Sequence, residues 1–201
     1  MTTARLPKKE LTGIYGKLVK VIGNKMVGAV PEPAEVMWHS PRVVKSLNTF
    51  GGKVRKWNDC DESLKTFAHM AVASLVGCSW CLDLNYFLAH TEGLDERKAS
   101  QVPRWRESDV FTPLERDVLG YAEAMTQTPP TVTDEMVETL TAQLGAAAVV
   151  ELTAAIGFAN ATTRGNNALG IESQGFSAAC EFALSEPSRP EAANETLASN
   201  A

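Results

Sequence analysis

Apolar residues of this 201-residue chain recur at intervals of three and four, the spacing of one face of an α-helix. Leu11, Ile14, Tyr15, Leu18, Val19 and Ile22 predict a first amphipathic helix. A loop with Pro31 and Pro33 follows, then a short helix through Val36-Met37-Trp38. Ser40-Pro41 reads as the N-cap and first residue of another helix. That helix carries Val43, Val44, Leu47 and Phe50, and Gly51-Gly52 bends or ends it. Leu64, Phe67, Ala68, Ala71 and Leu75 place an apolar helix over 62–76, with Gly77 in the position that closes a helix. The next helix opens at Cys78 and stops at Gly93. Residues 95–110 are polar and poorly periodic, and no helix is assigned to them. Thr112-Pro113-Leu114-Glu115 combines an N-cap, a proline at the first turn and a capping-box glutamate. Thr133-Asp134-Glu135 opens a further helix that ends at Gly145, and 146–163 is the most apolar helix in the chain. A last short helix is expected within 173–184. No segment alternates with the period of a strand, so the predicted fold is an all-α compact multi-helix bundle.

Length and composition add limits. With 44% hydrophobic and 21% charged residues, the chain suits one domain of about 9–184, a flexible stretch over 1–8 and a disordered Ser/Pro/Glu-rich tail over 185–201. A net charge of −5 argues against a nucleic-acid partner, which favours a basic stripe. The charged N-terminus lacks the apolar core of a signal peptide, and no apolar run approaches bilayer length. The expectation is no membrane partner and a reducing, cytoplasmic setting, where Cys-x-x-Cys points to redox or metal chemistry.

Cys78-Ser79-Trp80-Cys81 therefore draws the functional reading. Thiols at a helix N-terminus meet unpaired N–H groups and the positive end of the helix dipole, which stabilise the reactive thiolate. Continued as a helix, the segment sets Cys78, Cys81 and Asn85 on one face and turns Asp83, Tyr86 and His90 elsewhere. The preceding helix folds back at Gly77, bringing Glu62, Thr66 and His69 within range of that face. A structural zinc site would bring a second closely spaced Cys/His pair. His39, His69 and His90 are scattered, and neither a metal nor a cofactor is expected.

Gly77-Cys78-Ser79-Trp80-Cys81-Leu82-Asp83 resembles the carboxymuconolactone decarboxylase family, in particular its alkyl hydroperoxide reductase D-like (AhpD-like) branch. That branch carries Glu, eleven residues, Cys-x-x-Cys, three residues, then His. Pro31–Trp57 is similar to the family's entry helices, and Phe158–Ile171 to its C-terminal helix and exit, so the likeness spans about 30–172. It implies an AhpD-like domain assembled as a homo-oligomer, a trimer or hexamer. It also implies an antioxidant oxidoreductase, a thiol-dependent peroxidase that reduces hydroperoxides through a dithiol–disulfide couple. By position Cys81 is then peroxidatic and Cys78 resolving, with a thiol reductant protein as partner. Thr66 stands where the family has its Glu and Asn85 where it has its His. General acid–base help contributes on the order of 10²–10⁴ in rate, so a slow peroxidase is expected unless another group substitutes; His69 is the candidate. Two other readings stay open: a decarboxylase-like lyase, and a helical scaffold with a degraded site and redox-sensing thiols.

Structural roles compete for several of these residues. His69 equally fits a hydrogen-bonded core histidine, and Asn85 a residue that bridges backbone groups. Asp83 reads as solvated or salt-bridged. The four tryptophans read as core or interface, with Trp80 also able to wall a pocket. Arg164 and Asn160 read as ties for the C-terminal turn or a subunit contact, Cys60 and Cys180 as incidental, and His39 and His90 as surface or packing residues.

Overall fold

A computed structural model describes residues 4–187. Among these the chain is helical throughout and has no strand, in agreement with the periodicity. The helices are α1 (Gly13–Val27), α2 (Glu32–Met37), α3 (Pro41–Val54), α4 (Glu62–Val76), α5 (Ser79–Thr91), α6 (Glu96–Gln101), α7 (Pro113–Thr126), α8 (Asp134–Leu144) and α9 (Ala146–Ala168).

The caps explain why the boundaries fall where they do. Asp61 accepts from Ser63 N at the start of α4, and Thr112 and Glu115 form a reciprocal capping box at α7. Thr133 accepts from Met136 N at α8. Ser40 precedes α3 as expected, but its side chain makes no capping hydrogen bond, and Gly51-Gly52 lies inside that helix. Gly77 ends α4 at φ +76°, a left-handed conformation that side chains with a Cβ disfavour. This turn lets α5 fold straight back along α4.

Helix α4 is the axis of the core. It packs against α5, α7 and α9 and buries Leu64, Phe67, Ala68 and the run Met70–Ala73. From α7 come Val118, Leu119 and Ala122, and from α9 Leu152, Ile156 and Ala159. A second, smaller cluster joins Leu11, Val19, Ala34, Trp38 and Val44, so α1, α2 and α3 form an arm beside the main bundle. Tyr15 stacks on Trp38 at 6.0 Å. A Cβ on Gly16 would lie 2.7 Å from the Leu11 backbone, so this contact needs glycine.

Several segments depart from the periodicity. Residues 95–110 are not a plain loop: α6 forms behind Asp95, which accepts from Lys98 N, and a 3-10 turn follows over Val102–Glu107. Ala99, Ser100 and Val102 are buried there, so tertiary burial orders a stretch with weak intrinsic pattern. Helix α9 continues past Arg164 to Ala168. That arginine donates to the Thr126 carbonyl at 2.5 Å and to Asn160, which in turn donates to Thr126 Oγ1. The two residues thus tie α9 to the end of α7. The helix expected within 173–184 is only a 3-10 turn over Phe176–Ala179. At 23 residues, α9 is also long and apolar enough to cross a bilayer, contrary to the reading of the sequence. It is instead a wall of the core, and it buries the charged Glu151. From the N-terminal stretch, Arg5 donates to the carbonyls of Asn167 and Ala168, and Lys8 pairs with Glu32 and Glu35. Of the tail expected to be disordered, residues 188–201 lie outside the described residues.

Candidate active site at the mouth of the cysteine helix

Cys78 is the N-cap of α5, and its Sγ accepts from Cys81 N at 3.2 Å. The same two residues form a disulfide, with Cα atoms 5.3 Å apart. A Cys-x-x-Cys at the first turn of a helix brings its sulfurs together without distorting the backbone beyond that turn. Both residues are nearly buried, at 1% and 2% exposure, yet they are not equivalent. Cys81 lines a cavity of about 520 Å³, and Cys78 does not.

That cavity lies between the α1–α3 arm and the core. Leu18, Ile22, Met26, Val44 and Leu47 of the arm face Leu84 and Leu88 of α5 and Phe158 of α9 across it. Trp80 lines it too, so the residue between the cysteines is a wall of the pocket. The polar residues concentrate on two sides. Thr66, His69, Asn85 and Asn166 accompany Cys81, while Arg55, Glu62, Lys65 and Glu92 form a charged edge. A small apolar molecule with one reactive polar end fits this division.

The structure brings Cys81, Thr66, His69 and Asn85 to one cavity, as helix spacing anticipates. Their local bonds differ from the family relay. Asn85 Nδ2 donates to the Cys81 carbonyl oxygen at 2.7 Å, not to its sulfur. The amide that reaches the sulfur belongs to Asn166, which donates to Cys81 Sγ at 3.3 Å and is itself buried. Sequence reasoning placed Asn166 in the exit of the last long helix and gave it no chemical role. Only packing of α9 against the start of α5 reveals it. His69 is half-buried by surface, but the surrounding protein desolvates its ring and pulls its pKa down to about 4. The imidazole is therefore neutral near pH 7.

Asp83, expected to be solvated or salt-bridged, is instead buried among hydrogen-bond donors and organises the wall behind the disulfide. Its carboxylate accepts from the Ser173 hydroxyl and from the backbone N–H groups of Gly175, Phe176 and Ser177 at 2.7–3.0 Å. Burial pushes its pKa up, but the bonds from Ser177, Ser173 and Phe176 prevail and hold it below the usual value. Trp80 Nε1 donates to Gln174 Oε1 at 2.8 Å, and the same oxygen accepts from Glu32 N. The segment after α9 thus clasps the first turn of α5 on one side and the start of α2 on the other.

A buried ion pair stands at the charged edge. Lys65 Nζ contacts Glu151 Oε1 at 2.8 Å, Glu62 Oε2 at 3.0 Å and the Trp57 carbonyl at 2.7 Å. Burial favours the neutral lysine, but Glu151 and Glu62 overcome it and hold the pKa above normal. The remaining cysteines are poor nucleophiles: burial pushes Cys60 and Cys180 up to about 11.

The pattern of the carboxymuconolactone decarboxylase family matches residues 41–124, which include α4, the cysteine turn and α5. The uncharacterized protein YnjA of Escherichia coli K12 is 33% identical over 150 residues, covering 74% of this chain and 82% of YnjA. The chain belongs to the carboxymuconolactone decarboxylase family. An AhpD-like fold is shared with a solved protein of unknown function from Agrobacterium tumefaciens, provisionally named as antioxidant defence protein AhpD. The two are 26% identical with a TM-score of 0.63, over 67% of this chain and 92% of that one. The debrominase Bmp8 has the same fold at 20% identity and a TM-score of 0.71, over 81% and 88% of the two chains. At that identity the likeness concerns architecture alone. The two cysteines stand at 78 and 81, and at the positions where the AhpD-like branch that the sequence resembles has Glu and His the chain has Thr66 and Asn85.

Proposed function

We propose that the chain is a thiol peroxidase that reduces organic hydroperoxides through the Cys78–Cys81 couple. The observation that carries this reading is the asymmetry of the pair: Cys81 lines the cavity, and Cys78 stands behind it within bonding distance. In the reduced enzyme the Cys81 thiolate attacks the outer oxygen of the hydroperoxide. An S–O bond forms, the O–O bond breaks, and the departing alkoxide takes a proton to leave as the alcohol. The Cys78 thiol then displaces hydroxide from the Cys81 sulfenic acid, giving the disulfide and water. A dithiol reductant protein returns two electrons and two protons.

Thiolate formation here rests on the helix N-terminus and the Asn166 amide. His69, with a pKa near 4, is too weak a base to hold the thiol proton at rest. It acts as a neutral acceptor toward water or the hydroperoxide O–H. The mostly apolar cavity favours alkyl hydroperoxides over hydrogen peroxide. Self-association fits the same reading, because Ile14 and Val21 expose 91% and 64% of their surface and do not line the cavity.

The test starts from fully reduced protein and one equivalent of cumene hydroperoxide, with mass spectrometry of the peptide holding residues 78–81. Loss of two hydrogens from that peptide is expected. Cys78→Ser should trap a sulfenic acid at position 81, and Cys81→Ser should slow peroxide consumption on the order of 10³-fold or more. Unchanged thiols, or a sulfenic acid formed on Cys78 in Cys81→Ser, would overturn the assignment.

A further inference from the structure

A second group of reactive side chains lies at the far end of α5, outside the cavity. His90 closes that helix, Glu96 begins α6, and Cys180 follows the 3-10 turn after Phe176. One ligand-type atom from each of the three, an imidazole nitrogen, a carboxylate oxygen and a thiol sulfur, lies within 4.8 Å of the others. His90 Nδ1 is 2.5 Å from Glu96 Oε1. The other carboxylate oxygen, Oε2, accepts from Glu181 N at 2.9 Å, an outer-shell bond of the kind that orients metal-ligating carboxylates. Tyr86 donates to the Phe182 carbonyl at 2.7 Å, so the two residues that follow Cys180 are anchored to α6 and α5.

We propose that His90, Glu96 and Cys180 form a divalent-metal site for zinc(II), separate from the Cys78–Cys81 cavity. The donor set is the one zinc takes: neutral imidazole, carboxylate and thiolate. Bonds of about 2.0–2.3 Å in a tetrahedron set ligand atoms roughly 3.3–3.8 Å apart. To reach that spacing the His90 and Glu96 atoms, now 2.5 Å apart, must separate by about 1 Å, and the thiol already lies within 4.8 Å of both. All three residues are half-buried, so water can fill the fourth position. Binding as thiolate releases the Cys180 thiol proton. The site joins three elements distant in sequence and fastens the segment around Cys180 to the α5–α6 corner. The competing account is that His90 and Glu96 are a plain charge-assisted hydrogen bond with a thiol packed beside it, which has no reason to bind zinc.

The experiment uses the full chain with the Cys78–Cys81 disulfide intact, so those sulfurs cannot contribute a thiolate. Cobalt(II) is the optical probe and zinc(II) the calorimetric one. Expected are one zinc per chain, a thiolate-to-cobalt charge-transfer band in the near-ultraviolet, and protection of Cys180 by zinc from iodoacetamide, measured at alkaline pH with long incubation so that the metal-free thiol reacts despite its raised pKa. Cys180→Ser should abolish the band, Cys60→Ser should retain it, and His90→Gln should weaken zinc binding on the order of tenfold or more. Lack of stoichiometric uptake, a band that persists in Cys180→Ser, or zinc that leaves Cys180 alkylation unchanged overturns the proposal. The alkylation measurement is made on the unmutated chain, so it decides the matter even if a variant fails to fold. None of these readouts depends on peroxidase activity.

Discussion

Helices α4 and α1 are both 15 residues long and both apolar on average, yet they place their side chains very differently. In α4 eight residues are buried, among them Phe67, Met70 and Val72. In α1 the buried residues are Gly16, Val19 and Gly23, while Ile14, Leu18, Val21 and Ile22 are exposed. A helix surrounded on three sides by α5, α7 and α9 can spend nearly every apolar residue on the core. A helix on an arm spends one narrow face on its neighbours and leaves the rest for the cavity and for surfaces outside the chain. The difference separates scaffold from substrate enclosure: the cysteines sit on the rigid side, and much of the cavity wall comes from the lightly packed side.

The sharpest way to break this contrast is to truncate one side chain in each region. Phe67→Ala removes a buried ring and should cost about 3–5 kcal/mol, read from urea denaturation. Ile14→Ser, with Ile14 91% exposed, should change the stability of the single chain by less than about 0.5 kcal/mol. The same change should lower the solution mass seen by light scattering if the arm mediates self-association. Comparable losses from both substitutions would sink the division into core and arm.

A second measurement probes the junction of the regions, where His69 of α4 faces the cavity. Its folded pKa of about 4 lies below the unfolded value of 6.5. Between those values the unfolded chain binds more protons, so stability falls as pH drops from about 6.5 toward 4 and levels off below the folded value. The full linkage is about 3 kcal/mol, and local opening of the arm reduces it by letting water reach the ring. His69→Gln should flatten this part of the stability-against-pH curve. A slope equal to that of the unmutated chain would mean the cavity already solvates the imidazole.

The smallest effect concerns the scaffold alone. Asn166→Ala should slow the alkylation of reduced Cys81 near neutral pH, because the sulfur loses the amide that donates to it. Asn85→Ala should leave it nearly unchanged, because that amide bonds the Cys81 carbonyl oxygen. The reverse order would return Asn85 to the role the family pattern suggests.

The helices with strong caps were legible in advance. Thr112 and Thr133, read as caps, bond to backbone N–H groups three residues ahead, a local interaction that short sequence windows contain. Residues 95–110 were not legible: α6 has a local cap at Asp95, but it is short and lacks an apolar stripe, and burial of Ala99 and Ser100 orders it. The pairing of Cys78 with Cys81 needed only helix spacing. The role of Asp83 needed the segment 173–177, about ninety residues away, to return and supply the N–H groups that its carboxylate accepts. Its wrong assignment as a solvated or salt-bridged residue follows from that distance.

The amino-acid sequence by itself determined the all-helical architecture, the turn at Gly77 and the placement of two thiols at a helix mouth. Each depends on contacts within a few residues, where backbone geometry leaves few choices. Which sulfur faces the cavity, which amide touches it, and which of the equally apolar helices becomes core were decided only by tertiary packing. Those outcomes depend on segments that meet across tens of residues, eighty-five for Asn166 and Cys81, and no local periodicity encodes their meeting.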